Sequence, residues 1–246
     1  MRIIILAAGK GTRAIPLTKN TPKSLLDIGH GVTLLEKQIE NIQKSKVIDE
    51  IVLVVGYLAD QIEAKIKMHK ENGIEITTIY NPFYEMSNNL ISLWMAKQKM
   101  DEDFIVTNGD NIFEPDVFAD IVRKHKDGIF LTINKKNEFV DGDMKVLLDD
   151  NTIIKVSKEI ENSKADCESV GLVLVKGERY RKIFVESMEK LARNKEYLNK
   201  FWLEIFNLMA SNGIAIKPFE IDGKNKWREV DFHLDLEETR KLLKLD

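Results

Sequence analysis

Three short runs constrain this chain more than any other feature in it. They are RIIIL at 2–6, EIVLVV at 50–55 and FIVT at 104–107. Behind its first residue or two each is apolar and rich in β-branched side chains, the pattern of a strand covered on both faces. The stretches between them read as helices. Residues 33–46 place Leu35, Ile39 and Ile42 on one face, and Leu58, Ile62 and Ile66 form a second stripe. A strand is expected at 74–79. Helices are expected at 88–98, capped by Ser87 or Asn88, and from Pro115 to about His125. Strand and helix in alternation specify an α/β fold, a Rossmann-like, mainly parallel sheet with helices on both faces.

The second half changes character. Residues 128–134, 143–149 and 153–157 read as short strands joined by Asp, Asn and Gly turns, which favours antiparallel pairing. A strand at 169–175, helices at 178–193 and 197–211, a strand at 214–219 and a helix at 235–244 complete the series. The 178–211 helices have two places to pack, the sheet or a second copy, so a homodimer is open. No linker or repeat divides the 246 residues, so residues 1–246 read as a single domain.

The bulk numbers exclude some partners. A net charge of −3 argues against a general nucleic-acid binder, which carries an excess of Lys and Arg. The single cysteine, Cys167, suits a reducing compartment. No stretch is long and apolar enough for a membrane span, and the first residues lack the pattern of a signal peptide. The expectation is a cytoplasmic protein with no membrane partner.

The first strand runs into Leu6-Ala7-Ala8-Gly9-Lys10-Gly11-Thr12-Arg13. A P-loop would need Gly-Lys-Ser/Thr four residues after its first glycine, and that ending is missing. Gly9, Gly11 and Ala14 satisfy the dinucleotide string G-x-G-x-x-A. That string should open directly into a helix, however, and here Pro16, Thr18, Pro22 and Gly29 follow. What is left is a loop of some twenty residues carrying Lys10, Arg13, Lys19 and Lys23. Loops that long inside compact domains are usually functional. Glycine lets backbone N–H groups close on an anion, Arg13 adds a planar fork of donors, and Lys23 adds a point charge.

The stretch LAAGKGTRAIPLTKNTPKSLLDIG resembles the signature of the nucleotidyltransferases, which load sugar phosphates and small phosphorylated alcohols onto nucleotides. Their pattern is L-A-A-G-x-G-T/S-R, then P-L-T, then P-K. Leu6 to Gly9, Gly11 to Arg13, Pro16 to Thr18 and Pro22-Lys23 each match it. The resemblance implies that Leu6 to Arg13 wrap a nucleoside triphosphate, while Arg13 and Lys23 steady its phosphates. It also implies a nucleotide-binding half, 1–127, and an acceptor-binding half, 128–246.

The family's chemistry calls for metal-binding acids beside this loop. Asn108-Gly109-Asp110 ends a parallel strand, where α/β sheets bind ligands. Glu229 and Asp231 face one side of an extended segment. Asp110 and Asp231 match the family's G-D and x-D positions, with Glu229 a further candidate. Mg²⁺ takes one or two carboxylates plus substrate phosphates, so these suffice. Gly109 joins the nucleotide loop. The implied reaction is attack of an acceptor phosphate on the α-phosphorus with loss of pyrophosphate, with Arg13, Lys23, Asp110 and Asp231 as the catalytic set.

NPFYEMSNNLISLWMAK (81–97) and KVSKEIENSKADCESVGLVLV (155–175) are similar to blocks of the cytidylyltransferases that activate phosphocholine, phosphonates and related small phosphates. This implies CTP as the nucleotide, Asn88 and Asn89 near it, and Lys158 and Glu168 at the acceptor. It also implies a role in capsule or cell-surface modification. Cys167 stands where that block has Gly. A cationic acceptor would want an aromatic cage, which Tyr84, Trp94, Trp202 or Trp227 could supply, Trp227 being the better candidate because Trp94 and Trp202 read as core. Lys224, Lys226 and Arg228 lean instead towards an anionic acceptor such as phosphoglutamine. Two rivals stand beside this reading. One is a sugar-1-phosphate transferase using UTP, dTTP or GTP; the other is a catalytically silent nucleotide-binding module.

Overall fold

A computed structural model describes residues 1–67, 73–221 and 226–230, so Asp231, Lys224 and the expected helix at 235–244 lie outside the described residues. The strands of the first half are β1 (Arg2–Ala7), β2 (Asp27–Gly29), β3 (Val32–Thr33), β4 (Glu50–Val55), β5 (Glu75–Tyr80), β6 (Phe104–Asn108) and β7 (Asn111–Phe113). Those of the second half are β8 (Gly128–Asn134), β9 (Lys145–Asp149), β10 (Thr152–Ser157), β11 (Cys167–Lys176), β12 (Lys217–Glu220) and β13 (Trp227–Glu229). The helices are α1 (Leu34–Ser45), α2 (Ala59–Lys67), α3 (Asn89–Met95), α4 (Pro115–Lys124), α5 (Glu178–Ala192) and α6 (Glu204–Ser211).

The main sheet runs β10-β9-β11-β6-β1-β4-β5, with β8 on the other side of β11 and β12 beside β8. β1 lies parallel between β4 and β6, and β4 lies parallel to β5. The chain therefore leaves β1 towards one edge and returns to its other side at β6. That reversal opens a crevice outside the carboxyl ends of β1 and β6.

Alternate residues of the strands feed two cores. Ile4, Leu6, Val52, Val54, Phe104 and Val106 pack under α3, α5 and α6. Ile3, Ile5, Ile51, Leu53, Val55 and Ile105 pack under α1, α2 and α4. Burying one such side chain is worth roughly 1.5–3 kcal/mol, which is why the strands tolerate no polar alternation. Phe184, Met188, Phe206 and Met209 place the apolar faces of α5 and α6 on the sheet of this same chain. The start of α1 is set by a capping box. Glu36 N donates to Thr33 Oγ1 at 3.3 Å, and Thr33 N donates to Glu36 Oε2 at 2.8 Å.

In the second half β9 and β10 pair antiparallel as expected, and the rest is arranged by tertiary position. β8 does not pair with β9; β11 takes β8 along one side and β6 and β9 along the other, all antiparallel. β12 lies parallel to β8. The helix expected at 197–211 begins only at Glu204. Before it, Leu198 O accepts from Asn88 N at 2.8 Å and Trp202 N donates to Asn89 Oδ1 at 2.9 Å. Those bonds to the start of α3 take backbone groups that a helix would use for itself.

Candidate active site

The crevice at the ends of β1 and β6 is a cavity of about 630 Å³. Every residue from Leu6 to Arg13 lines it, with Lys23, Gly109 and Asp110. The glycine loop is held in shape by its own bonds. Gly11 is left-handed at φ 61°, and a Cβ there would sit 3.1 Å from both Lys23 Cβ and Thr18 Cγ2. Thr18 Oγ1 donates to the Gly11 carbonyl at 2.8 Å. The loop's later part is not bare coil. It makes single helical turns at Thr12–Ala14 and Lys23–Leu25, then a hairpin of β2 and β3.

Gly109 fits against the loop's root. Its N–H donates to Leu6 O at 2.8 Å, and a Cβ would lie 2.9 Å from Ala7 Cβ. Gly9 differs, because a Cβ there would meet nothing within 4 Å. The fold does not require that glycine. A ligand laid along the loop would.

Lys23 and Asp110 meet at the centre. Lys23 Nζ lies 2.8 Å from Asp110 Oδ2. Asp110 Oδ1 is buried and has no hydrogen-bond partner among the described residues, and neither has Ser24 Oγ on the same wall. An orphaned carboxylate oxygen opposite a triphosphate-sized loop suits a hard cation, so the residues present fit Mg²⁺. Glu229 lines the same cavity. β13, which carries it, pairs with β7 just after Asp110, and Val230 N donates to Asp110 O at 2.9 Å. Val230, the last described residue of this segment, is thereby held beside Asp110. Across the mouth, Lys10 Nζ lies 2.7 Å from Glu85 Oε1. This bond holds the Lys10 pKa above its ordinary value and the Glu85 pKa below.

The other end of the cavity is built by Asp143, Lys158, Glu168 and Phe201. Lys158 Nζ sits over the Phe201 ring, 5.2 Å from its centroid. Glu168, almost fully buried, accepts from Asn134 Nδ2 at 2.8 Å and pairs with Lys136 at 2.6 Å. Asn88 and Asn89 line the cavity, but their side chains serve the scaffold. Asn88 Oδ1 caps α3, and Asn89 Oδ1 holds Trp202. Trp227 also lines it, with Nε1 donating to Asn111 Oδ1 at 3.1 Å. Lys226 turns away to Asp116, and neither it nor Arg228 is part of the cavity wall.

Sequence reasoning missed Lys136 and Asp143, and it missed the bond that Trp202 makes to the end of β6. Trp202 Nε1 donates to Asn108 Oδ1 at 3.0 Å and so reaches the end of β6 from 94 residues away. No local spacing carries such a contact.

A family described as nucleotidyl transferase matches residues 2–138, more than half of the chain. The chain belongs to the nucleotidyl transferase family. It is 28% identical over 246 residues to the choline-phosphate cytidylyltransferase of Streptococcus pneumoniae, covering 99% of each. It is 30% identical over 246 residues to the bifunctional protein GlmU of Methanococcus aeolicus, with 92% of this chain matched. The chain spans 57% of that relative's length. The solved structure of the CTP:phosphocholine cytidylyltransferase LicC from Streptococcus pneumoniae superposes with a TM-score of 0.77 at 25% identity, covering 99% of both chains. The mixed sheet with helices on both faces is thus the fold of known nucleotidyltransferases.

Proposed function

We propose that this chain is a Mg²⁺-dependent cytidylyltransferase, joining CTP to a small phosphorylated acceptor with release of pyrophosphate. The observation that carries the reading is Asp110. One of its oxygens is held by Lys23 of the glycine loop, and the other is buried and unpartnered at the floor of the cavity. Similarity over full length to a cytidylyltransferase supports CTP as the nucleotide.

The triphosphate lies along Leu6 to Arg13, where the open side of Gly9 admits it and backbone N–H groups face its oxygens. Arg13 and Lys23 donate to phosphate oxygens and offset charge as it moves towards the leaving pyrophosphate. Asp110 would hold the metal, with Asp231 and Glu229 as its further ligands. Bound there, Mg²⁺ supplies charge neutralisation on the triphosphate. Lys158 orients the acceptor phosphate from the far end. One of its oxygens bonds to the α-phosphorus, and the bond from that phosphorus to the bridging oxygen breaks. A phosphate monoester is largely ionised at neutral pH, so the step needs no general base, and positioning supplies most of the rate.

In this reading residues 1–127 form the nucleotide half and 128–246 the acceptor half of one domain. The setting is cytoplasmic, and the CDP-linked product feeds capsule or cell-surface modification. The test is to incubate the chain with CTP, Mg²⁺ and a panel of small phosphates, then search for a CDP-linked product by mass spectrometry. Its formation only with CTP supports the reading. Product only from a hexose 1-phosphate with UTP, dTTP or GTP makes the chain a sugar nucleotidyltransferase, and nucleotide binding with no product makes it a silent module.

A further inference from the structure

The far end of the cavity presents two carboxylates, and both are already bound by one lysine from outside the cavity wall. Lys136 Nζ lies 2.7 Å from Asp143 Oδ2 and 2.6 Å from Glu168 Oε2. The remaining capacity of these acids is partly used as well. Asn134 Nδ2 donates to Glu168 Oε1 at 2.8 Å, and Val140 N donates to Asp143 Oδ2 at 2.7 Å. Lys136 also lies over the Phe139 ring, 5.6 Å from its centroid. The second attraction a cation would find at this end is the face of Phe201, and Lys158 covers it.

Lys136 therefore offsets the charge of both carboxylates before any acceptor arrives, and Lys158 adds a further ammonium group at this end. Burial pulls the Lys136 pKa down, but the bonds to Asp143 and Glu168 outweigh it and leave the value raised, so the lysine stays charged. A tethered ammonium competes at an effective concentration no free cation matches. An incoming cationic headgroup would meet like charge and carboxylates already satisfied, which costs affinity.

We propose that Lys136 is a specificity-determining residue, neutralising Asp143 and Glu168 so that the acceptor end rejects a cationic headgroup and takes a neutral or anionic one. The inference rests on the acceptor end assigned under Proposed function. It predicts an acceptor unlike that of the choline-phosphate relative, whose name states a cationic one.

The experiment compares wild type with Lys136→Met, Lys136→Gln and Lys136→Arg in two arms. The first arm measures kcat/KM with CTP for phosphocholine, glycerol 3-phosphate and 3-phosphoglycerate. Wild type and Lys136→Arg should favour the two uncationic acceptors over phosphocholine by roughly tenfold or more. Lys136→Met and Lys136→Gln should shift that ratio towards phosphocholine by a similar factor. The second arm titrates tetramethylammonium, without nucleotide, and follows binding by NMR. Binding should emerge in the two uncharged variants and be missing in wild type and Lys136→Arg.

Lys136→Gln keeps a hydrogen-bonding side chain on the carboxylates, in case Lys136→Met folds poorly. Phosphocholine as the best wild-type acceptor, or tetramethylammonium binding equally to wild type and variants, overturns the proposal. A lack of turnover with CTP in every sample, and with the wider panel of small phosphates above, contradicts the cytidylyltransferase reading instead, and the binding arm then decides the role of Lys136.

Discussion

Lys23 Nζ meets Asp110 Oδ2 at 2.8 Å across 87 residues of sequence, joining the loop after β1 to the turn after β6. Neither residue supports a large apolar core, so the pair is informative about chemistry rather than folding. Asp110→Asn keeps the shape and a hydrogen bond to Lys23 but removes the charge. Turnover should fall by about 10²–10³-fold or more, as for loss of a charge-stabilising group, while the circular dichroism spectrum is retained. Chelating the metal from wild type should give a comparable loss. Near-normal turnover in Asp110→Asn would remove this residue from the reaction.

Two glycines of the same cavity should respond in opposite ways. Gly9→Ala adds a methyl that meets nothing in the protein, so stability should stay within about 0.5 kcal/mol of wild type. The methyl would occupy ligand space, so CTP affinity should drop. Gly109→Ala drives a methyl to 2.9 Å from Ala7 Cβ and should destabilise by about 1–3 kcal/mol. Urea denaturation and CTP titration on both variants check the split. A stable Gly109→Ala, or a Gly9→Ala that binds CTP normally, would contradict it.

Cys167 is fully buried, and burial, with help from Asp166, pushes its thiol up from 9.0 to about 12. The raised value means that the fold favours the protonated form. Its contribution to stability is complete below pH 9.0 and is lost as pH rises through about 12. The native thiol should therefore resist DTNB at neutral pH and react fully in denaturant. Rapid labelling of the native protein would contradict this.

Much of this was legible in advance where the signal is local. The runs around Ile4, Val52 and Val106 had to be covered on both faces, and they form the centre of the sheet. The glycine string and Pro22-Lys23 delimited a loop of which Leu6 to Arg13 and Lys23 do share one cavity, while Lys19 is not part of its wall. Contacts set by tertiary position were not legible. Helical spacing over 197–203 loses to the bonds from Asn88 and Asn89, which take up the Leu198 carbonyl and the Trp202 N–H. Lys226 counts by sequence among the charges leaning towards an anionic acceptor, but it spends its charge on Asp116. Lys136 had no such position, yet it pairs with both Asp143 and Glu168.

The most direct test of the account is pyrophosphate release, with CTP, UTP, dTTP, ATP and GTP each supplied with small phosphates and with hexose 1-phosphates. The account predicts Mg²⁺-dependent release with CTP and a small phosphorylated acceptor, lost in Asp110→Asn. Release with UTP or dTTP and a hexose 1-phosphate, and none with CTP, would contradict it.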